Sequence, residues 1–144
     1  MALALDAARA AAARGEVPVG AVISDAAGQI IAAAGNRTRE LHDPTAHAEL
    51  LAIRAAGAAL GSERLIGCTL TVTLEPCAMC AAAIAAARLD RLVYGAADPK
   101  SGGVEAGARI FSHAQTHHRP ELISGVAEAE CAALLKDFFA ARRD

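Results

Sequence analysis

Two cysteines and a histidine carry the strongest chemical signal in this sequence. Cys77 and Cys80 occur in EPCAMC, directly behind Pro76, and His47 and Glu49 occur in TAHAEL. A helix that starts after the proline places both sulfur atoms on one face, and its positive end stabilises the thiolates that bind metal. Imidazole is a good third ligand. Three protein ligands with a fourth position left for water are typical of a catalytic zinc site.

Glu49 follows His47 by two residues, a spacing that points side chains to different sides of a regular helix. The two side chains face one site only where His47 lies at the very start of its helix. Bound zinc lowers the pKa of a coordinated water towards about 7, and a neighbouring unligated carboxylate can move the proton of that water. The pattern predicts one zinc on His47, Cys77 and Cys80, with Glu49 as the proton shuttle.

Two other interpretations of the cysteine pair remain open at the level of the residues. The pair is also compatible with a redox-active dithiol or with a closed structural zinc. The closed site requires a fourth protein ligand, for which the candidates are Cys68, Cys131, His42, His113, His117 and His118. Cys68 enters a predicted strand and Cys131 lies in an apolar helical stretch, which favours buried packing roles for both.

The elements that must position these residues alternate between helix and strand along the chain. Helices are predicted from Ala2 to Arg14, Thr45 to Leu60, Cys77 to Arg88 and Val126 to Arg143. Strands are predicted from Val19 to Asp25, Gln29 to Ala34, Thr69 to Leu74, Arg91 to Gly95 and Glu121 to Ser124. This alternation predicts an α/β domain in which a sheet lies between helical layers. The length of 144 residues suits a single domain, 1–144.

The charge and composition of the chain indicate which partners and which cellular compartment to expect. The net charge is −2 and the sequence pI about 6.2, which argues against a general binder of polyanions but leaves room for a local basic patch. No apolar run reaches the ~20 residues that span a bilayer, so we expect a cytoplasmic protein with no membrane association. In a reducing cytoplasm closely spaced cysteines act as ligands or catalytic groups more often than as disulfides.

The helix CAAAIAAAR is apolar on every face. Such a helix is normally buried. Cys80 and Ile84 are expected to face the core. The remaining alanines are buried either within the monomer or against a second subunit whose backbone approaches closely.

Longer blocks of the sequence carry a family resemblance. The residues HAE followed by PCAMC fit the H-x-E…P-C-x-x-C signature of zinc-dependent base deaminases. The blocks GEVPVGAV, GNRTRELHDPTAHAEL, TLEPCAMC and ECAALLKDFFAARR closely resemble the bacterial tRNA-specific adenosine deaminases, from about Ala2 to Arg143. The resemblance implies a three-layer α/β/α cytidine-deaminase-like fold with a five-stranded mixed sheet, and a homodimer with active sites near the interface. It also implies conversion of adenosine to inosine at the wobble position of an arginine tRNA anticodon.

The resemblance also assigns residues to substrate binding. Asn36 would hydrogen-bond the base, and Val17 and Leu74 would line its pocket. Asp98 and Lys100 match a loop that contacts the anticodon backbone, and Phe139 and Arg142 match the helix that flanks it. Without the resemblance, Asn36 and Asp98 fit turns and Val17 and Leu74 fit a core.

Three functions follow from these observations. The first is a tRNA adenosine deaminase that binds an anticodon stem-loop. The second is a deaminase of a free base, nucleoside or nucleotide of the guanine, cytosine or cytidine type. The third is a binding module held together by zinc without turnover, against which Glu49 argues, because a structural site has no use for an unligated carboxylate beside the metal.

Overall fold

The computed structural model describes residues 1–142, within which four helices and five strands alternate as the sequence predicts. The helices are α1 (Ala2–Ala13), α2 (Ala48–Leu60), α3 (Ala78–Ala86) and α4 (Glu128–Ala140). The strands are β1 (Gly20–Ser24), β2 (Ile30–Gly35), β3 (Thr69–Leu74), β4 (Arg91–Ala96) and β5 (Glu121–Ile123). A single 3-10 turn, Ile110–Ser112, interrupts the irregular segment 97–120.

The five strands form one mixed sheet in the order β2-β1-β3-β4-β5. β1 is antiparallel to both β2 and β3, whereas β3, β4 and β5 are parallel. The parallel pairs bring the carboxyl ends of β3 and β4 to the same edge, where Leu74 pairs with Ala96. The carboxyl edge of a parallel sheet is where α/β proteins commonly bind ligands.

Helices cover both faces of the sheet and produce the three predicted layers. α1 contacts α4, and α2 contacts α3. The larger core cluster unites residues of α2 and α3 with the inward side chains of the strands. A smaller cluster forms where α1 and α4 meet, from Leu5, Ala96 and Cys131. The sheet therefore lies between two helical layers.

Small side chains set the distance between α1 and the sheet. A Cβ atom on Gly20 would lie 2.0 Å from the carbonyl oxygen of Ala4 and 2.6 Å from the backbone nitrogen of Ala8. The helix backbone therefore rests directly on the strand, with no side chain between them. This close approach lets a chain with only 3% aromatic residues pack its interior densely.

The predicted bounds differ from the structure chiefly where helices begin. α2 begins at Ala48 rather than Thr45, and α3 begins at Ala78 rather than Cys77. His47 and Cys77 precede these helices in extended conformation, with ψ of 150° and 174°. The predicted C-terminal helix ends at Ala140, and Arg143 lies outside the described residues. Within residues 1–142 no helix has the length and apolar character to cross a membrane.

Candidate active site

The three predicted metal ligands meet where two helices begin. His47 is the N-cap of α2, Cys77 is the N-cap of α3, and Cys80 lies in the first turn of α3. The condition derived for the His47–Glu49 spacing is thus met, because His47 leaves the helical path before α2 starts. Both N-cap side chains are partly accessible, whereas Cys80 is fully buried.

The distances between the ligand atoms suit one tetrahedral zinc. His47 Nδ1 lies 3.7 Å from Cys77 Sγ and 3.5 Å from Cys80 Sγ, and all three ligand atoms lie within 4.8 Å of one another. Tetrahedral bonds of about 2.3 Å to sulfur and about 2.0 Å to nitrogen separate such ligand atoms by about 3.6 Å. His47 also hydrogen-bonds the carbonyl oxygen of Pro44, which fixes the imidazole with Nδ1 towards the sulfur atoms.

The ligand side chains perturb one another as a metal site requires. Hydrogen bonds from Cys80 and His47 lower the pKa of Cys77 to about 4, and the hydrogen bond to Cys77 raises the pKa of His47. The hydrogen bond between Cys80 and Cys77, together with burial, raises the pKa of Cys80. A divalent cation between the two sulfur atoms favours the thiolate form of both.

Glu49 lies in the first turn of α2, next to the three ligands but not among them. Its side chain is 4% exposed and hydrogen-bonds its own backbone N–H and the Cys80 thiol. Burial raises the pKa of Glu49 to about 7, whereas a nearby cation favours the carboxylate. A carboxyl group beside a metal and shielded from solvent is suited to accept and return a proton.

The other cysteines and histidines lie elsewhere. Within the described part of the chain, His47, Cys77 and Cys80 form the one group of side chains close enough to share a metal, so no fourth protein ligand closes the site. Cys68 and Cys131 are buried core residues, as predicted. His113 and His118 contact the backbone carbonyls of Ala108 and Leu89 and so hold loops.

Asn36 joins the loop after β2 to the start of α2. Its Oδ1 atom accepts a hydrogen bond of 2.8 Å from the backbone N–H of Ala48, one of the free donors at that helix end. The contact places Asn36 beside His47. Because the oxygen faces the helix, the side-chain NH₂ group is the part of Asn36 available to a substrate.

The six other predicted substrate residues line one cleft of about 770 Å³. They come from the N-terminal loop, the end of β3, the segment after β4 and α4; they are Val17, Leu74, Asp98, Lys100, Phe139 and Arg142. Leu74, at the end of β3, precedes the metal ligand Cys77 by three residues in the chain. The Phe139 ring is 47% exposed, and exposed aromatic rings are the surfaces on which unpaired bases stack.

Two of these cleft residues also have partners within the protein. The Asp98 carboxylate accepts the backbone N–H groups of Lys100 and Ser101 at 3.2 and 3.0 Å, which is the turn that Asp98-Pro99 suggested. The Arg142 guanidinium stacks on the Phe138 ring at 3.6 Å. The Lys100 side chain is exposed and presents a positive charge to the cleft.

Sequence reasoning did not single out Glu16 and Glu75, two buried glutamates that organise the loops around the site. Glu16 accepts the backbone N–H groups of Arg39 and Glu40 at 3.1 and 2.8 Å, three and four residues beyond Asn36. Glu75 accepts four backbone N–H groups of segment 98–106. The available signal was the position of Glu75, a charged residue at the carboxyl end of a buried strand.

The fold and the ligand set define a zinc-dependent deaminase. The profile of the cytidine and deoxycytidylate deaminase zinc-binding region matches residues 1–96 of the chain. His47, Cys77 and Cys80 are positioned to bind the single zinc ion that this region holds. The enzyme class predicted from the HAE and PCAMC motifs is confirmed.

Comparison with known proteins shows to which family of zinc-dependent deaminases the chain belongs. A tRNA-specific adenosine deaminase from Agrobacterium fabrum is 58% identical over 99% of this chain and 93% of its own length. A solved structure from work on A-to-I editing by tRNA:A34 deaminases at the wobble position of transfer RNA is 59% identical, with a TM-score of 0.92 over 94% of this chain and 97% of that one. A guanine deaminase from Nitrosomonas europaea is 25% identical, with a TM-score of 0.82 over 96% and 82% of the two chains. The chain belongs to the tRNA-specific adenosine deaminase family.

Proposed function

We propose that this protein converts adenosine to inosine at the wobble position of the anticodon of an arginine tRNA. The observation that carries the proposal is the cleft lined by Leu74, Lys100 and Phe139, in which Leu74 precedes the zinc ligand Cys77 by three residues in the chain. It combines an apolar wall, a positive charge and an exposed aromatic ring, the groups that bind unpaired nucleotides. The greater similarity to tRNA deaminases than to a guanine deaminase supports the same substrate.

The reaction replaces the amino group at C6 of adenine by oxygen, with water consumed and ammonia released. Zinc, when bound, supplies the Lewis acidity that makes water a nucleophile near neutral pH. Glu49 takes one proton of the attacking water and delivers it to the ring nitrogen N1; it then takes the second, from the new hydroxyl on C6, and delivers it to the departing amine. Burial of Glu49 shields these transfers from bulk solvent.

The remaining side chains hold the nucleotide. The NH₂ group of Asn36 donates to an acceptor atom of the base, and Val17 and Leu74 pack against its ring. Lys100 and Arg142 contact the backbone of the anticodon loop, beside Phe139. Because the bases of an anticodon loop are already unpaired, turning one of them into the pocket costs less than extracting it from a duplex.

The experiment that tests the substrate compares RNA with free bases. Purified zinc-loaded protein is incubated with an anticodon stem-loop of arginine tRNA that carries a wobble adenosine, with the same stem-loop carrying guanosine, and with free guanine and cytosine. We expect inosine and ammonia from the adenosine stem-loop alone. Deamination of free guanine or cytosine, without reaction of the stem-loop, would replace this proposal by the free-base alternative.

The proposal includes a homodimer in the cytoplasm, where its tRNA substrate is found. The monomer leaves one face of α3 exposed, formed by Ala78, Met79, Ala82 and Ala86, and this face is available to a second subunit. We expect Ala82→Glu to dissociate the dimer in sedimentation experiments, and the exposed Ala133→Glu on α4 to leave it intact. A monomeric parent protein would refute this part.

A further inference from the structure

Glu75 is buried without a cationic partner. It follows β3 directly, is 2% exposed, and takes part in none of the salt bridges of residues 1–142. Its Oε1 atom accepts the backbone N–H of Asp98 at 3.0 Å. Its Oε2 atom accepts those of Val104, Glu105 and Ala106 at 3.2, 2.9 and 3.0 Å. Hydrogen bonds to an ionised carboxylate are roughly twice as strong as neutral ones.

The two carboxylate oxygens hold the two ends of one segment, 98–106. Asp98 lies at its beginning, and residues 104–106 lie at its end. Between them the Asp98 side chain closes a turn over Lys100 and Ser101. The segment thus projects from Glu75 as a loop fixed at both ends, with the exposed Lys100 side chain at the cleft.

Two glycines let this segment lie directly on Glu75 and α3. A Cβ atom on Gly102 would lie 2.6 Å from Cδ of Glu75, and one on Gly103 would lie 2.4 Å from the backbone nitrogen of Ala78. The N–H of Gly103 donates to the carbonyl oxygen of Pro76 at 2.8 Å. The segment is therefore fitted against the residues that lead into the zinc ligands, with no space for a side chain between.

We propose that Glu75 is a positioning residue for RNA: its carboxylate fixes segment 98–106 so that Lys100 reaches the substrate in the cleft. This inference rests on the proposed function. Glu75 acts through the loop and touches neither the zinc ligands nor the base. Without this anchor the loop retains Lys100, but the lysine is no longer held in the position from which it contacts the substrate.

The test is a double-mutant cycle between Glu75→Gln and Lys100→Ala, measured on the adenosine stem-loop. Glutamine keeps the size of the side chain but presents an NH₂ group to N–H donors. We expect E75Q to raise KM about tenfold, with kcat within about twofold and one zinc per chain retained. Lys100→Ala raises KM in the parent protein and changes it little in E75Q, because both substitutions remove the same contact.

Two further variants separate positioning from general destabilisation. Glu16→Gln weakens a similar carboxylate anchor under the other loop, so its effect on KM multiplies with that of K100A. Gly102→Ala disturbs the Glu75 contact from the loop side and reproduces the KM effect of E75Q while leaving the carboxylate in place. Backbone amide exchange of residues 104–106 accelerates in both E75Q and G102A, whereas that of α3 does not.

The proposal is overturned if the effects of E75Q and K100A on KM multiply in the double variant, as those of E16Q and K100A are expected to do. It is also overturned if E75Q loses zinc and unfolds while G102A keeps the parental KM. The proposed function is tested separately, on the parental enzyme. If that enzyme does not deaminate the stem-loop, the proposed substrate is wrong. The exchange rates of residues 104–106 report on the anchor in either case.

Discussion

Three glutamates are buried within residues 1–142, and their partners distinguish what they do. Glu16 and Glu75 each accept several backbone N–H groups and so hold loops. Glu49 lies beside the zinc ligands and hydrogen-bonds Cys80. A buried carboxylate is costly unless it is paired, which explains why two of them are surrounded by donors and the third lies next to a cation site.

The role of Glu49 is tested by separating metal binding from turnover. We expect Glu49→Ala to keep one zinc per chain and the parental melting temperature, while the rate of inosine formation falls by about 10²–10⁴-fold. Zinc content and single-turnover kinetics measure the two properties. Glu63→Ala, an exposed substitution beyond the other end of α2, should leave the rate unchanged. A near-parental rate in E49A would remove Glu49 from the mechanism.

The role of Glu16 predicts a pH dependence of stability. Burial alone would raise the pKa of Glu16, but hydrogen bonds from the backbone of Glu40 and Arg39 outweigh it and lower the pKa below 4.5. A carboxyl group with a lowered pKa in the folded state contributes stability above its unfolded pKa and loses it as the pH falls through the folded value. We therefore expect Glu16→Gln to be less stable than the parent at pH 7 and to approach it below about pH 4.5.

Urea unfolding of both proteins between pH 7 and pH 3 measures this difference. The exposed pair of Glu40 with Arg37 offers a comparison, since solvent screens such a pair and Glu40→Gln should change the free energy of unfolding much less than Glu16→Gln does at pH 7. A constant difference between E16Q and the parent across the pH range would contradict the role assigned to Glu16.

At the scale of the elements, the zinc site depends on the N-termini of α2 and α3, which are distant in sequence and adjacent in the fold. His47 and Cys77 both leave their helices at the N-cap, so one ion joins α2 to α3. A metal that binds the folded state alone adds its binding free energy to stability.

We expect Cys77→Ala and His47→Ala to lose zinc and to lower the free energy of unfolding by more than about 2 kcal/mol. Cys68→Ala is the matched control, because Cys68 is also a buried cysteine but lies outside the metal site. It should keep one zinc per chain and lose only packing energy. Full zinc occupancy in C77A would refute the ligand assignment.

The sequence predicted these elements well where neighbouring residues alone determine the structure. The β-branched run Thr69–Leu74 forms β3 as predicted, and the CxxC pair lies at a helix start. The start of α2 was predicted three residues early, because Thr45 resembles an N-cap, whereas the helix is capped by Asn36 from twelve residues away. A cap supplied through tertiary structure leaves no local pattern.

The two loop-holding glutamates show the same limit. The partners of Glu16 and Glu75 are backbone N–H groups, which every residue except proline carries, so no combination of side chains indicates the contact. The zinc ligands were predictable because metal binding requires particular side chains at particular spacing. The cleft could be predicted only through family resemblance, since its walls come from four distant parts of the chain.

The whole molecule carries a net charge of −2, so its attraction to RNA must be local. Lys100 and Arg142 are the basic residues that residues 1–142 contribute to the cleft, so we expect the protein to neutralise only a few phosphates. Long-range attraction of the complete tRNA is correspondingly weak, and a short stem-loop should compete almost as well as the full molecule.

We expect the affinity for the stem-loop to fall with salt at a log–log slope of about −1.4 to −2.8, which corresponds to about two to four phosphate contacts on single-stranded RNA. Filter binding at salt concentrations between about 50 and 300 mM measures the slope. Lys100→Ala should reduce its magnitude by about 0.7, whereas the exposed Arg64→Ala, outside the cleft, should not change it. A slope steeper than about −5 would show that RNA contacts extend well beyond the cleft.

The order of the elements along the chain has a consequence for how the protein is made on the ribosome. The zinc ligands lie within residues 47–80, at the starts of α2 and α3, which precede β5 and α4, whereas Phe139 and the last wall of the cleft come from α4. At translation rates of about 5–20 residues per second, the segment between Cys80 and Phe139 takes about 3–12 s to synthesise. The nascent chain therefore contains all three metal ligands seconds before the last wall of the cleft has been synthesised.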